Sequence, residues 1–330
     1  MKFDVLIIGG GLAGLTCGIR LQKNGVKCAI VSTGQSALHF SSGSFDLLNE
    51  LPDGTKVDNP MAAVGKVSAN HPYAKLGSEF AYYVHEAKQQ FLDLGIEVAG
   101  DAEQNHLRIT PMGTLKPTWL TFSDFTPFSS ASDMAGKKIR VVNIAGFLDF
   151  NTKFVADSFE KYGAKCQISS INLPELERLR ISPTEMRSTN IARVLENEKT
   201  LEALIMELAG TVSGFDVVAL PAVFGLSSVA PVRRLKEALN IPVWLIPTMP
   251  PSVPGIRAQQ QLRRSFEELG GVYMLGDTVV KADFKGNKVQ SVYSVNHGDI
   301  SFVAENFVLA SGSYFSNGLI AQPDKVIEPV

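Results

Sequence analysis

With 330 residues, a formal net charge of −2, and 45% hydrophobic against 19% charged residues, the chain has an ordinary globular composition, long enough for one large core or two smaller ones. The near-neutral balance and the lack of a long Lys/Arg tract exclude nucleic acid as the main partner. Cys17, Cys28 and Cys166 are too few and too scattered for a disulfide framework or an iron–sulfur ligand set, and read as small core residues of a protein in a reducing cytosolic compartment.

Residues 3–8 are apolar enough for a buried strand, and the turn Gly9-Gly10-Gly11-Leu12-Ala13-Gly14 follows at once. A helix is predicted over 12–23, with Gly25 at its exit, and a second buried strand over 28–32. Asp4 and the glycines interrupt the opening apolar run, so it does not read as a secretory signal.

Residues 34–60 look irregular, with a short helical piece at 45–49 and a turn at Leu51-Pro52-Asp53-Gly54. Phe80, Val84, Ala87, Phe91 and Leu94 recur at helical spacing, predicting a helix over 76–94 that Gly95 closes. Residues 106–130 read as short strands and loops. A second alternation follows: strand 139–144, helix 151–162, strand 165–171, helix 188–208, strand 215–220, helix 232–239 and strand 242–246. The apolar stretch 217–232 contains Pro221, Gly225, Ser227, Ser228 and Pro231, which suits a buried strand with a loop and not a membrane-spanning helix. A helix over 256–269 ends at Gly270-Gly271, and short strands are predicted at 272–275, 278–284, 288–296, 300–304 and 306–310. The pattern is that of an α/β protein, Rossmann-like at 1–50 plus 265–330, with an inserted α/β middle domain at 51–264.

The glycine turn is the strongest chemical signal. Gly9, Gly11 and Gly14 fit G-x-G-x-x-G with Gly10 added, directly after a strand and opening a helix. That arrangement offers the amides around Gly11, Leu12 and Ala13 to a phosphate. The acid that would accept hydrogen bonds from an adenosine ribose is absent where the second strand ends. Ser32 and Thr33 stand there, and the next acid is Asp46. Either these hydroxyls hold a ribose or a mononucleotide binds.

The segment running on from Thr33 carries His39, Ser41, Ser42 and Gly43. It reads as a cradle for a phosphate or a flavin edge, with His39 as a candidate acid/base, or as a plain connector. Lys116, in the stretch 111–119, is a candidate cation beside a flat ring, while Trp119 reads as core. Arg257 follows a proline-rich loop in the first turn of a predicted helix, where a cation opposes the helix dipole, so it calls for an anionic partner: a substrate or an internal carboxylate. No H-E-x-x-H, paired-cysteine, P-loop or nucleophile-elbow pattern is present, so no metal ligands are assigned and metal hydrolysis, ATPase and serine-hydrolase chemistry lack support.

The GGGLAG turn, the late short strands and Phe307-Val308-Leu309-Ala310-Ser311-Gly312 together resemble flavoproteins of the glutathione-reductase type, in which an element like Ala310-Ser311-Gly312 returns beside the first strand. Three further runs, residues 37–44, 113–120 and 250–257, resemble the B-subunit family of bacterial anaerobic glycerol-3-phosphate dehydrogenases over essentially the whole chain. The resemblance implies a glutathione-reductase-type fold and a flavin, FMN with FAD as the alternative. Ser41, Ser42, Gly43, Ser311 and Gly312 would lie near it.

It also implies two partners, an FAD-containing A subunit together with an iron–sulfur, membrane-anchoring C subunit. The complex would be peripheral to the inner membrane and would oxidise sn-glycerol 3-phosphate to dihydroxyacetone phosphate with quinone as acceptor. Within it the B subunit would serve as electron relay or assembly partner. A non-catalytic subunit with a vestigial flavin fold and a stand-alone flavin oxidoreductase are the alternatives. Members of that family continue past the position of Val330, so the resemblance places their flavin-covering strand, turn and helix beyond this sequence.

Overall fold

The first strand, Lys2–Ile8, lies inside a six-stranded sheet in the computed structural model, which describes residues 1–329. Its neighbours are Cys28–Ser32 on one side and Phe302–Leu309 on the other, both parallel to it. Val272–Leu275 extends the parallel part beyond Cys28–Ser32, and the antiparallel strands Lys288–Ser294 and Val279–Lys285 extend the other flank. Strands paired on both edges and covered on both faces need continuous apolar sequence. Val5-Leu6-Ile7 supplies it: Leu6 and Ile7 are wholly buried, worth about 1.5–3 kcal/mol each.

Leu6, Ala29, Val31, Val279, Val292, Phe302 and Ala304 form one core cluster of this unit. The helix Leu12–Lys23 packs close to the sheet because it carries glycines on its buried face. A Cβ at Gly14 would lie 1.9 Å from the Gly9 carbonyl oxygen, and one at Gly18 would lie 2.7 Å from the Phe266 ring.

Two units are distinguishable: Met1–Phe40 together with the chain from Ala258 onward, and Ser41–Arg257. The second is built on a four-stranded parallel sheet in the order Val243–Ile246, Val217–Pro221, Lys138–Ile144, Lys165–Ile171. Trp244 anchors its core, edge-on to Phe128 at 4.8 Å and to Phe159 at 6.0 Å. The same unit carries the hairpin His106–Ile109 with Leu115–Thr118, and a small sheet in which Leu120–Phe122 pairs with Ser44–Phe45 and Val98–Ala99.

Most predicted elements are present within a residue or two; five differ. The helix expected over 76–94 begins at Phe80 and runs to Asp93, because Gly77, at φ +54°, ends a separate short helix, Pro72–Leu76. The helical piece at 45–49 is absent, because Phe45 pairs as a strand with Leu120 and its ring packs on Phe91 and Phe122. The helix over 188–208 is two helices, Ser188–Leu195 and Glu198–Ala209, divided where Asn197 turns its side chain to accept from the Thr200 amide. The strands expected at 300–304 and 306–310 are one strand, Phe302–Leu309, since Asn306 is exposed as a side chain yet keeps its backbone register with Val5. The helix expected from 256 begins at Val253 and runs to Glu268.

Cys17, Cys28 and Cys166 are free thiols, and only Cys28 is fully buried. Burial raises all three above the ordinary thiol value, Cys28 to about 11 and Cys166 to about 12. Among the described residues no helix is long and apolar enough to cross a membrane.

Candidate functional site

In the first unit, the helix Leu12–Lys23 begins without a capping side chain. Gly11 is its N-cap, and its first turn holds no acidic residue. The leading amides of a helix lack partners inside the helix, and here the sequence supplies none through a cap. The four glycines of the turn are constrained for different reasons. Gly9 has φ +112°, and a Cβ there would sit 2.1 Å from the Ala310 carbonyl oxygen. At Gly10 a Cβ would meet the Tyr273 hydroxyl at 2.1 Å, and at Gly14 the Gly9 carbonyl oxygen. Gly11 alone of the four has room, its nearest neighbour being Ser36 Cβ at 3.7 Å. Protein packing thus accounts for three glycines; the open face of the fourth, beside uncapped amides, fits the phosphate of a nucleotide cofactor.

The surrounding residues are fixed by local bonds. Gly9 N donates to the Val31 carbonyl and Ala310 N to that of Ile8, which brings Ser311 and Gly312 beside the glycine turn as predicted. Gly312 has φ +102°, and Ser311 Oγ donates to Glu328 Oε1 at 3.2 Å. At the end of the second strand the Ser32 hydroxyl donates to the Gly34 carbonyl at 3.0 Å, and Thr33 Oγ1 accepts from the Thr278 hydroxyl at 3.1 Å. Tyr273 donates its hydroxyl to the Gly10 carbonyl at 3.0 Å, while the buried Ser36 hydroxyl donates to Gln259 Oε1 at 2.7 Å. His39 lies in the short turn Ala37–Phe40, half-buried, and burial lowers its pKa from the ordinary histidine value. Burial thus favours the neutral form of the imidazole, which can accept a proton.

The remaining predicted residues belong to the second unit. Ser41 Oγ accepts from the Gly43 amide at 3.1 Å, and the Gly43 carbonyl accepts from Phe122 N and Thr121 Oγ1. Gly43 has φ +88°, and a Cβ there would meet the Phe125 ring at 2.1 Å. Lys116 is paired with Asp46, which also accepts from the Thr118 hydroxyl at 3.0 Å. Arg257 donates through Nη2 to both Asp124 oxygens at 2.6 Å and through Nη1 to the Gly225 carbonyl, in a pair only 14% and 3% exposed. Its anionic partner is therefore internal. Trp119 is buried, in keeping with its reading as core.

Arg108 went unnoticed in the sequence. It is 2% exposed, and its donors reach only neutral oxygens: the Ser42 carbonyl at 3.1 Å, the Ser42 hydroxyl at 2.5 Å and the Ile109 carbonyl at 3.0 Å. Its Nε has no partner, and burial lowers its pKa to about 10. The available signal was an arginine between Leu107 and Ile109 in a strand of four.

Residues 4–330 match the FAD binding domain family. The B subunit of anaerobic glycerol-3-phosphate dehydrogenase from Yersinia enterocolitica is 45% identical over the whole chain, which spans 79% of that relative. Those from Pectobacterium atrosepticum and Glaesserella parasuis are 43% and 41% identical with the same coverage. The chain belongs to this B-subunit family. Membership brings the flavoprotein fold and a flavin cofactor, and the name places its members in a complex of more than one subunit. Among solved structures, the chain is similar to the L-amino acid deaminase of Proteus myxofaciens (15% identity, TM-score 0.36, 96% of this chain and 46% of that one). It is likewise similar to the glycine oxidase of Bacillus cereus (15%, 0.34, 96% and 56%), so it spans about half the length of each.

Proposed function

We propose that the chain is the flavin-carrying B subunit of a quinone-dependent anaerobic glycerol-3-phosphate dehydrogenase, which converts sn-glycerol 3-phosphate and quinone to dihydroxyacetone phosphate and quinol. In this reading it serves as electron relay or assembly partner of an FAD-containing A subunit. The iron–sulfur C subunit holds the complex at the inner membrane, with this chain on the cytoplasmic side. The observation that carries the reading is the uncapped amino end of Leu12–Lys23 beside the open face of Gly11.

The unit containing that helix is the flavin holder, and residues 41–257 are an insertion into it. A bound flavin supplies two-electron acceptance and one-electron release. The chain's part is to hold and orient it: the Gly11, Leu12 and Ala13 amides grip the phosphate, Gly9, Gly10 and Gly14 shape the turn, and Ser311 and Gly312 offer close backbone approach. Ser41, Ser42 and Gly43 form a second cradle, and His39 accepts a proton at a ring nitrogen. Lys116 and Arg257 already have carboxylate partners. This supports leaving substrate oxidation to the larger, FAD-containing partner and treating Arg257 as a residue that positions Asp124.

The cofactor is FMN. Ser32 Oγ and Thr33 Oγ1 are engaged with Gly34 and Thr278, and no acid ends the second strand, so an adenosine ribose has little to bind there. Mass spectrometry of the ligand released from the native complex tests this directly: FMN is expected, and FAD overturns it. For the wider reading, Gly11→Ala in the full chain is expected to weaken flavin binding at least tenfold while changing stability by less than about 1 kcal/mol, since only Ser36 lies near the added carbon. Unchanged flavin occupancy in this variant removes the phosphate grip on which the reading stands.

A further inference from the structure

Phe40 and Phe315 are 50% and 68% exposed, yet they face each other edge-on with ring centroids 5.4 Å apart. Phe40 ends the turn Ala37–Phe40 that follows the strand Cys28–Ser32, and Phe315 lies in the turn Tyr314–Ser316 that follows the strand Phe302–Leu309. These strands flank Lys2–Ile8 on either side and run parallel to it. All three therefore release their loops at one end of the sheet, where Gly9–Gly14 open the helix. Ligands of open α/β sheets sit outside the carboxyl ends of the strands. Two rings that pack on each other and leave their outer surfaces to water, at that end, make an apolar ledge beside a polar phosphate cradle. A flavin has the matching division, an anionic tail and a flat aromatic head.

We propose that Phe40 and Phe315 form an aromatic rim that receives the ring system of the flavin, on the reading that the Gly11–Ala13 amides hold its phosphate. The rim spans two loops far apart in sequence, so ring binding fastens the segment after the second strand to the segment after Phe302–Leu309. The preceding residue of one loop is His39, so the rim also sets where that imidazole stands.

The test uses the full chain, stripped of flavin and titrated with FMN, with binding followed by the change in flavin fluorescence and the melting of each apo-protein recorded. F40A and F315A are each expected to raise the dissociation constant about tenfold, as for losing part of one ring's burial. Apo melting is expected to stay unchanged, because both rings are exposed. F315W is expected to bind FMN and to quench its emission beyond the wild-type level, through an indole in contact with the flavin.

Wild-type affinity in both alanine variants overturns the proposal, as does weakened binding with no added quenching in F315W, which marks an indirect effect. Unchanged affinity together with lost co-purification of the FAD-containing partner also overturns it and assigns the rings to that partner. A wild-type chain that binds neither FMN nor FAD refutes the flavin reading itself, a distinct failure. If an alanine variant melts early, F40L and F315L, which keep the bulk and remove the ring, are judged by the same criteria.

Discussion

Both units bind most of their polar groups internally, Asp277 to His297 in the first among them, but they differ in one place. In the second, Arg257 is locked to Asp124, Lys116 to Asp46, and the guanidinium of Arg108 to the backbone and hydroxyl of Ser42. In the first, the helix Leu12–Lys23 leaves its amino end without a cap, and Gly11 leaves open space in front of it. Charge spent inside the chain stabilises a fold, whereas donors left facing open space are reserved for something that is not protein. By this criterion Lys116 and Arg257 are already engaged within the chain, and the glycine turn, which carries no charge at all, is the site we propose for the cofactor.

The contrast is broken most severely at Asp124. Asp124→Ala leaves the Arg257 guanidinium buried and unpaired, and is expected to cost about 3–5 kcal/mol in denaturant unfolding; a cost below about 1 kcal/mol would mean that Arg257 had been free for another role. Next comes Gly14→Ala, whose methyl would lie 1.9 Å from the Gly9 carbonyl oxygen. It is expected to cost about 1–3 kcal/mol through overpacking, set against the near-neutral Gly11→Ala only three residues away. Equal destabilisation by both would erase the distinction between packing glycines and the ligand-facing one.

Acid sharpens the comparison through His39. Its folded pKa lies below the unfolded value because burial disfavours the charged ring. The unfolded chain therefore takes up the proton first, and the stability that His39 contributes is complete above about pH 6.5 and is lost as pH falls through the folded pKa. His39→Gln is expected to flatten unfolding free energy against pH over that interval, and an unaltered slope would show that the ring titrates equally in both states. Smallest is Lys116→Ala. Its pair with Asp46 is exposed at 44% and 38%, and its loss is expected to cost less than about 1 kcal/mol in thermal melting.

What was legible in the sequence follows from the range of the interactions involved. The first strand, the glycine turn and the first helix were read to within a residue, since each is determined by neighbours within a few positions: apolar continuity, missing Cβ atoms and 3.6-residue spacing. Asn197 carried a readable cap signal that an otherwise unbroken helical pattern masked. Phe45 was beyond local reading, because its strand depends on Leu120 and its ring on Phe91. The partners of the candidate cations were hidden for the same reason. Asp124 lies 133 positions from Arg257 and Ser42 lies 66 from Arg108, distances over which periodicity carries no information. The absence of an acid after the second strand was legible, but that the Ser32 hydroxyl donates to Gly34 and Thr33 Oγ1 accepts from Thr278 was not.

The pairing of Lys2–Ile8 with Phe302–Leu309, fastened further by the Met1 amino group donating to the Ser301 carbonyl 300 positions away, governs when this molecule becomes competent. At ribosomal speeds of 5–20 residues per second, roughly 15–60 s separate the emergence of the two strands. Residues 41–257 emerge within that interval and are complete before it closes, while the glycine turn still lacks the Ala310 carbonyl against which Gly9 closes. The glycine turn is thus completed only after residues 302–310 have emerged, so a shorter nascent chain has the first helix but not the backbone against which its turn is set.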